Sequence, residues 1–359
     1  MFSKPGKALA SALLACSLTL VAGGASAAST AEASTRAAPQ TAKAAVKKKA
    51  TAKRRAATTK KKASSKRKVR SGSRNIKKAV RRNGSSPLST GQKLGLRGTG
   101  HALNLKSSVA LVVDQNTGEV LVKKNADAVL PIASLTKLMT ALVVLEAAQP
   151  LDELLTISVE DVDTEKHSHS RLAVGNRLSR EELLLLALMS SENRAAHALG
   201  RHYPGGLQSF VAAMNAKAWD LGMLHSHFAD PTGLSSRNTA SASDLVRLVN
   251  ASYRQPLIRS YSTRRQHTVM PGRRAMTFNS SNRLIRYEAD WDIGLQKTGF
   301  TNEAGRCLVM QAQVEERPLV MIFLDSSGSA TRFADAQRVR HWVEAQAVSE
   351  RADAGLPSS

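Results

Sequence analysis

The chain has 359 residues, 42% of them hydrophobic, enough for one large domain or two smaller ones with a proper core. Its formal charge of +24 would suit a nucleic-acid binder, but residues 1–105 carry 24 Lys/Arg against one acid, Glu32, whereas residues 106–359 carry 28 against 27. The basicity belongs to the front segment, so nucleic acid is not the expected partner of the remainder.

Lys4 and Lys7 precede an apolar run from Ala8 to Val21, and Ala25-Ser26-Ala27 offers small residues for cleavage. Residues 1–27 therefore read as a secretory signal peptide cleaved near Ala27, which places the mature protein in the periplasm. The run falls short of the ~18 to 20 apolar residues that span a bilayer. Cys16 follows Leu13-Leu14-Ala15 as in a lipoprotein, but apolar residues continue past it, as in an ordinary signal. Once the signal is removed only Cys307 is left, so no intrachain disulfide can form even in an oxidising compartment.

Residues 28–105 are rich in Lys, Ala, Ser and Thr, with 19 Lys/Arg between Lys43 and Arg82. So few large apolar residues cannot offset the entropy of ordering, and a disordered segment is expected. In an exported protein, 43–82 is expected to bind anionic envelope polymers or lipid head groups in a salt-sensitive way. The rival reading from another class is a polyanion-binding envelope protein whose folded part is only a scaffold.

The pattern changes at Ser107. Ser108 to Asp114 and Glu119 to Lys123 flank Gln115-Asn116-Thr117-Gly118 and predict a β-hairpin. Leu135 to Ala148 reads as a buried helix, and Arg180 to Leu199 as a second one, with Ser179 and Glu182 spaced as a capping box. Helices are expected at Leu207 to Leu221 and Ala242 to Tyr253, strands at Ile293 to Gly299, Arg306 to Gln313 and Pro318 to Asp325, and a closing helix from Thr331 to Ala345. Strands at both ends with helices between predict one α+β domain over 106–345. In it an antiparallel sheet is flanked by helices and carries an inserted helical subdomain. Residues 346–359 read as a polar tail, and the three tryptophans as core.

Three short motifs carry the chemistry. Ser134-Leu135-Thr136-Lys137 opens the first buried helix; positions i and i+3 share a face, so the Lys137 amine can reach the Ser134 hydroxyl as a base reaches a nucleophile. The spacing alone is weak, since Ser65-Lys66-Arg67-Lys68 also has it, and an N-cap serine beside a surface lysine would look the same. Ser191-Glu192-Asn193 follows the apolar run Leu183 to Met189, although the same spacing occurs at Ser73, Ser236 and Ser280. Lys297-Thr298-Gly299 lies in a predicted strand, where a glycine lets a ligand backbone come close.

Together and in this order, the three resemble the signature of penicillin-binding proteins and serine β-lactamases. The wider stretches 131–141, 189–196, 230–235 and 297–305 resemble the D-alanyl-D-alanine carboxypeptidase family, and within it the D-alanyl-D-alanine endopeptidase branch. The resemblance implies an acyl-enzyme on Ser134, with Lys137 as its base and Ser191 relaying a proton to the leaving amine; the Lys137 pKa must then be depressed by burial and by a nearby cation, which Lys297 could supply. It further implies that Asn193 and Thr298 hold the substrate, and that Gly299 and Phe300 border an oxyanion hole built from the Ser134 and Phe300 N–H groups. Expected partners are peptidoglycan stems and cross-links and β-lactam inhibitors. A carboxypeptidase, or a β-lactamase or esterase on the same fold, are the alternatives; no deacylating glutamate of the class A β-lactamase kind is apparent.

No metal and no cofactor is expected. His167-Ser168-His169 and His225-Ser226-His227 lack an accompanying acid or cysteine cluster at ligand spacing. Cys307 reads as a packed small hydrophobe, with no basic group placed to make its thiolate.

Overall fold

The computed structural model describes residues 87–353. The signal peptide, the basic segment as far as residue 86 and the tail from residue 354 lie outside the described residues.

Five strands form one antiparallel sheet: β1 Ser107–Asp114, β2 Val120–Lys124, β3 Asp292–Thr301, β4 Gly305–Val314 and β5 Arg317–Ser326, in the order β2-β1-β5-β4-β3. The chain thus returns to its start, with Val109 opposite Leu324 and Val113 opposite Val320 across β1 and β5. Period-2 alternation sends Val109, Leu111, Val309, Val320 and Ile322 into one core and Ala110, Val112, Met310, Met321 and Phe323 into another. The sheet is therefore covered on both faces, and its central strands read as continuous apolar runs.

The first core is filled by the inserted helices: α1 Lys137–Glu146, α2 Arg180–Met189, α3 Asn193–Arg201, α4 Gly206–Asp220, α5 Ala242–Tyr253 and α6 Pro256–Thr263. The second core is closed by α7 Thr331–Asp353 through Phe333, Ala336, Val339 and Val343. Among the described residues no helix is long and apolar enough to cross a membrane.

Four expectations need correction. The run Arg180 to Leu199 is two helices, broken at Ser190–Glu192, where Ser191 has φ +66°. The closing helix continues through Asp353, so residues 346–353 are helical although polar. Folded structure also starts before residue 106. Ser89 and Gln92 form a capping box, Thr90 N–H donates to Glu303 O at 2.8 Å, and Arg97 pairs with the buried Asp325 at 2.9 Å. Finally, Trp219 is 73% exposed, whereas Trp291 is buried and Trp342 packs partly against the second core.

Candidate active site

Ser134 stands on a single 3-10 turn, Ala133–Thr136, that leads directly into α1. As the second residue of that turn its backbone N–H has no intrahelical acceptor. Ala133 takes φ +48°, and Thr136 Oγ1 donates to Ala133 O at 2.8 Å, which locks the turn.

Lys137 is fully buried. Its Nζ lies 2.8 Å from Ser134 Oγ, 2.7 Å from Asn193 Oδ1 and 2.7 Å from Thr232 O. Amide and carbonyl oxygens can only accept, so a neutral amine gives its two N–H groups to Asn193 and Thr232 and turns its lone pair to the Ser134 hydroxyl. Burial pushes the Lys137 pKa down to about 7, with Asp230 and Glu192 pulling it partly back up. At pH 7 roughly half of the amine is then unprotonated, against about one part in three thousand at the ordinary value.

The second pair sits on the opposite wall. Lys297 Nζ donates to Ser191 Oγ at 2.8 Å and to Thr298 O at 2.9 Å. Its pKa is lowered well below the ordinary value, first by burial, then by repulsion from Lys137 and Arg332. Burial, the first of the two causes expected for Lys137, is thus the largest for both lysines, and the two buried amines repel each other across the cleft.

β3 is the edge strand, and its outer edge faces the Ser134 turn. A Cβ on Gly299 would meet Ile132 O at 3.0 Å and Ser134 N at 3.2 Å, so glycine allows the strand to pass beside the nucleophile. Thr298 Oγ1 shares a hydrogen bond with Ser281 Oγ at 2.7 Å. Phe300 is 51% exposed, with the Arg306 guanidinium 4.3 Å from its ring centre. Asn193, expected to hold substrate, is engaged by the protein: Oδ1 takes Lys137, and Nδ2 donates to Ser168 Oγ at 2.9 Å.

Several residues of the site had no role in the sequence reading. Asp230 accepts from the N–H groups of Thr232 at 2.6 Å, Gly233 at 2.8 Å and Ser235 at 3.0 Å, and so shapes the loop that presents Thr232 O to Lys137. Asn238 ties that loop to the turn, donating to Thr136 Oγ1 at 3.0 Å and to Asp230 O at 2.8 Å. Arg332, buried at the start of α7, approaches Gly299 O at 3.5 Å and adds positive charge behind Lys297. Asp-Pro-Thr-Gly is an Asx-turn sequence and could have been read as one; nothing local marked Arg332.

Among the described residues no cluster of three or more His, Cys, Asp or Glu side chains could hold a metal ion. Cys307 is buried, and desolvation pushes its thiol up to about 12, which leaves it unreactive.

Residues 97–328 match the family described as D-alanyl-D-alanine carboxypeptidase, peptidase S11. The chain is 50% identical over 247 residues to a D-alanyl-D-alanine endopeptidase of Pseudomonas aeruginosa, covering 68% of this chain and 79% of that one. It is 46% identical over 242 residues to a D-alanyl-D-alanine endopeptidase of Escherichia coli K12, covering 67% and 78%. The crystal structure of the Streptomyces K15 DD-transpeptidase superposes with a TM-score of 0.62 at 26% identity, covering 67% of this chain and 98% of that one. With a serine and a buried lysine of lowered pKa in contact inside this fold, the chain belongs to the D-alanyl-D-alanine carboxypeptidase family of serine peptidases.

Proposed function

We propose that the protein is a D-alanyl-D-alanine endopeptidase that opens peptidoglycan cross-links through an acyl-enzyme on Ser134. The observation that carries this is Lys137 Nζ, held between Asn193 Oδ1 and Thr232 O with its third position 2.8 Å from Ser134 Oγ. Lys137 takes the Ser134 proton as the oxygen adds to the D-Ala carbonyl. The Ser134 and Phe300 N–H groups receive the developing oxyanion, each such donor typically being worth ~10² to 10³ in rate. Ser191, oriented by Lys297, passes a proton to the departing amine, and Thr298 with the Arg332 charge behind Lys297 favours a carboxylate on the leaving residue. Water then hydrolyses the acyl-enzyme.

The same acylation makes penicillin an inhibitor. The two carboxylates that influence Lys137 are already engaged: Asp230 by backbone N–H groups, and Glu192 by the Ser170 hydroxyl at 2.6 Å and, more loosely, Arg171 N–H. Neither is placed as a free base on a water, which favours a lasting β-lactam adduct over turnover.

Carboxypeptidase action is the second reading, favoured by the family's description. Digestion of purified cross-linked muropeptide dimers decides between them: conversion to monomers supports the endopeptidase, and loss of terminal D-Ala from pentapeptides with dimers intact overturns it. Export through residues 1–27 puts the enzyme beside this substrate, and 43–82 supplies loose attachment to anionic envelope polymers.

A further inference from the structure

Between Arg254 and Tyr287 the chain carries eight arginines and no aspartate or glutamate, whereas the rest of 106–359 holds 20 Lys/Arg against 27 acids. This segment folds into α6, a hairpin of Gln266–Val269 with Met276–Asn279, and a short helix Arg283–Tyr287. Arg254, Arg264, Arg265, Arg273, Arg274 and Arg283 are exposed. Among the described residues none of the eight is in an ion pair. An ordinary solvated face interleaves both signs; this one repels itself and attracts a polyanion.

Its position links it to the cleft. At the base of the hairpin, Ser280 N–H donates to Arg265 O at 2.8 Å, Ser281 N–H donates to Met189 O at 2.9 Å, and Ser281 Oγ meets Thr298 Oγ1. The patch therefore begins where the Ser191 and Lys297 walls meet. Arg171 extends it, donating to Thr277 O at 2.7 Å. On its outer side Arg265, Gln266, Asn279, Arg286 and Tyr287 line one concavity, with the Tyr287 ring 66% exposed. Guanidinium forks match carboxylates in a two-point geometry, and amides beside them suit peptide groups.

We propose that this arginine surface is an exosite for the carboxylate-bearing peptide stems of the peptidoglycan strand whose cross-link occupies the cleft; the inference rests on the peptidase reading. Continuity with the cleft favours the polymeric substrate over a lipid surface.

The test uses the full chain with R264Q, R273Q, R274Q and R283Q combined, none of which removes a protein ion pair. Cleavage of a soluble cross-linked dimer is expected to stay within about twofold of wild type, while cross-link release from intact sacculi falls about tenfold at low salt and the gap narrows near 0.3 M salt. The corresponding four-lysine variant, which keeps the charge, should retain most of the sacculus activity. An unchanged sacculus-to-dimer ratio overturns the proposal, as does loss of binding to anionic phospholipid vesicles with that ratio intact. A wild type that neither cuts the dimer nor takes penicillin overturns the peptidase reading instead. Co-sedimentation of both proteins with sacculi then still decides the exosite: weaker sedimentation of the variant supports it, and equal sedimentation overturns it.

Discussion

Gly233 passes so close to Ala133 that a Cβ there would lie 1.9 Å from the Ala133 carbonyl oxygen. Gly233 has φ +82° and Ala133 φ +48°, so two left-handed residues face each other under the nucleophile. Thr232 O on one side and Ser134 N on the other are fixed by that contact. Gly233→Ala is expected to slow penicillin acylation by about 100-fold, the usual consequence of moving a reacting group by ~1 Å. Stopped-flow acylation with circular dichroism on the same sample checks this; a folded variant that acylates at the wild-type rate would count against it.

The Lys137 pKa of about 7 sets a pH dependence. Only the unprotonated amine is a base, so acylation should rise with pH through about 7 and level off above it, and Lys137→Arg should remain inactive at every pH. Stability follows the same group. Because the folded pKa lies below the ordinary 10.5, the unfolded chain binds more protons between about 7 and 10.5. Stability therefore rises with pH across that window, by up to about 1.4 kcal/mol per unit for this one group. Urea unfolding at pH 7, 8 and 9 should show a shallower rise for Lys137→Met than for wild type.

Asp230→Asn replaces an acceptor with a donor that faces backbone N–H groups. A loss of about 1 to 3 kcal/mol is expected, together with slower acylation, because Thr232 O drifts from Lys137. Thermal unfolding and acylation should fall together; a drop in stability with acylation unchanged would separate this loop from the Lys137 amine.

Lys166 reaches from the loop before α2 to Glu303, in the turn after β3, at 2.5 Å. The same loop is held by Asn193 at Ser168 and by Glu192 at Ser170. It thus straps the two walls of the cleft together. Both side chains are about one-third exposed, so Lys166→Ala should change stability by less than ~1 kcal/mol. Its effect should appear in substrate size, with kcat/KM for cross-linked dimers rising severalfold relative to a small peptide if the strap limits entry.

Much of the fold was legible because hydrophobic period and turn residues agree along the chain, as in β1, β4 and β5. The break at Ser190–Glu192 was hidden by its neighbours, since Leu183–Met189 is apolar and Ala195–Leu199, apart from His197, is too, and both are helix-prone. Only the positive φ of Ser191 distinguishes the two sides, and no glycine or proline announces the end of the first helix. The three motifs marked the right regions, but sequence spacing could not show that Asn193 is spent on Lys137 or that Asp230 builds the loop beside it. Arg332 acts from a helix 33 residues beyond Gly299, a contact that exists only once α7 packs on the sheet. Trp219 shows the converse error: aromatic character suggested core, yet its place on α4 faces solvent.

The most direct measurement is intact-mass spectrometry with peptide mapping after incubation with benzylpenicillin. A single long-lived adduct on the peptide containing Ser134, absent in Ser134→Ala, is the predicted result. An adduct that persists in Ser134→Ala, or maps to another serine such as Ser65, would contradict the account.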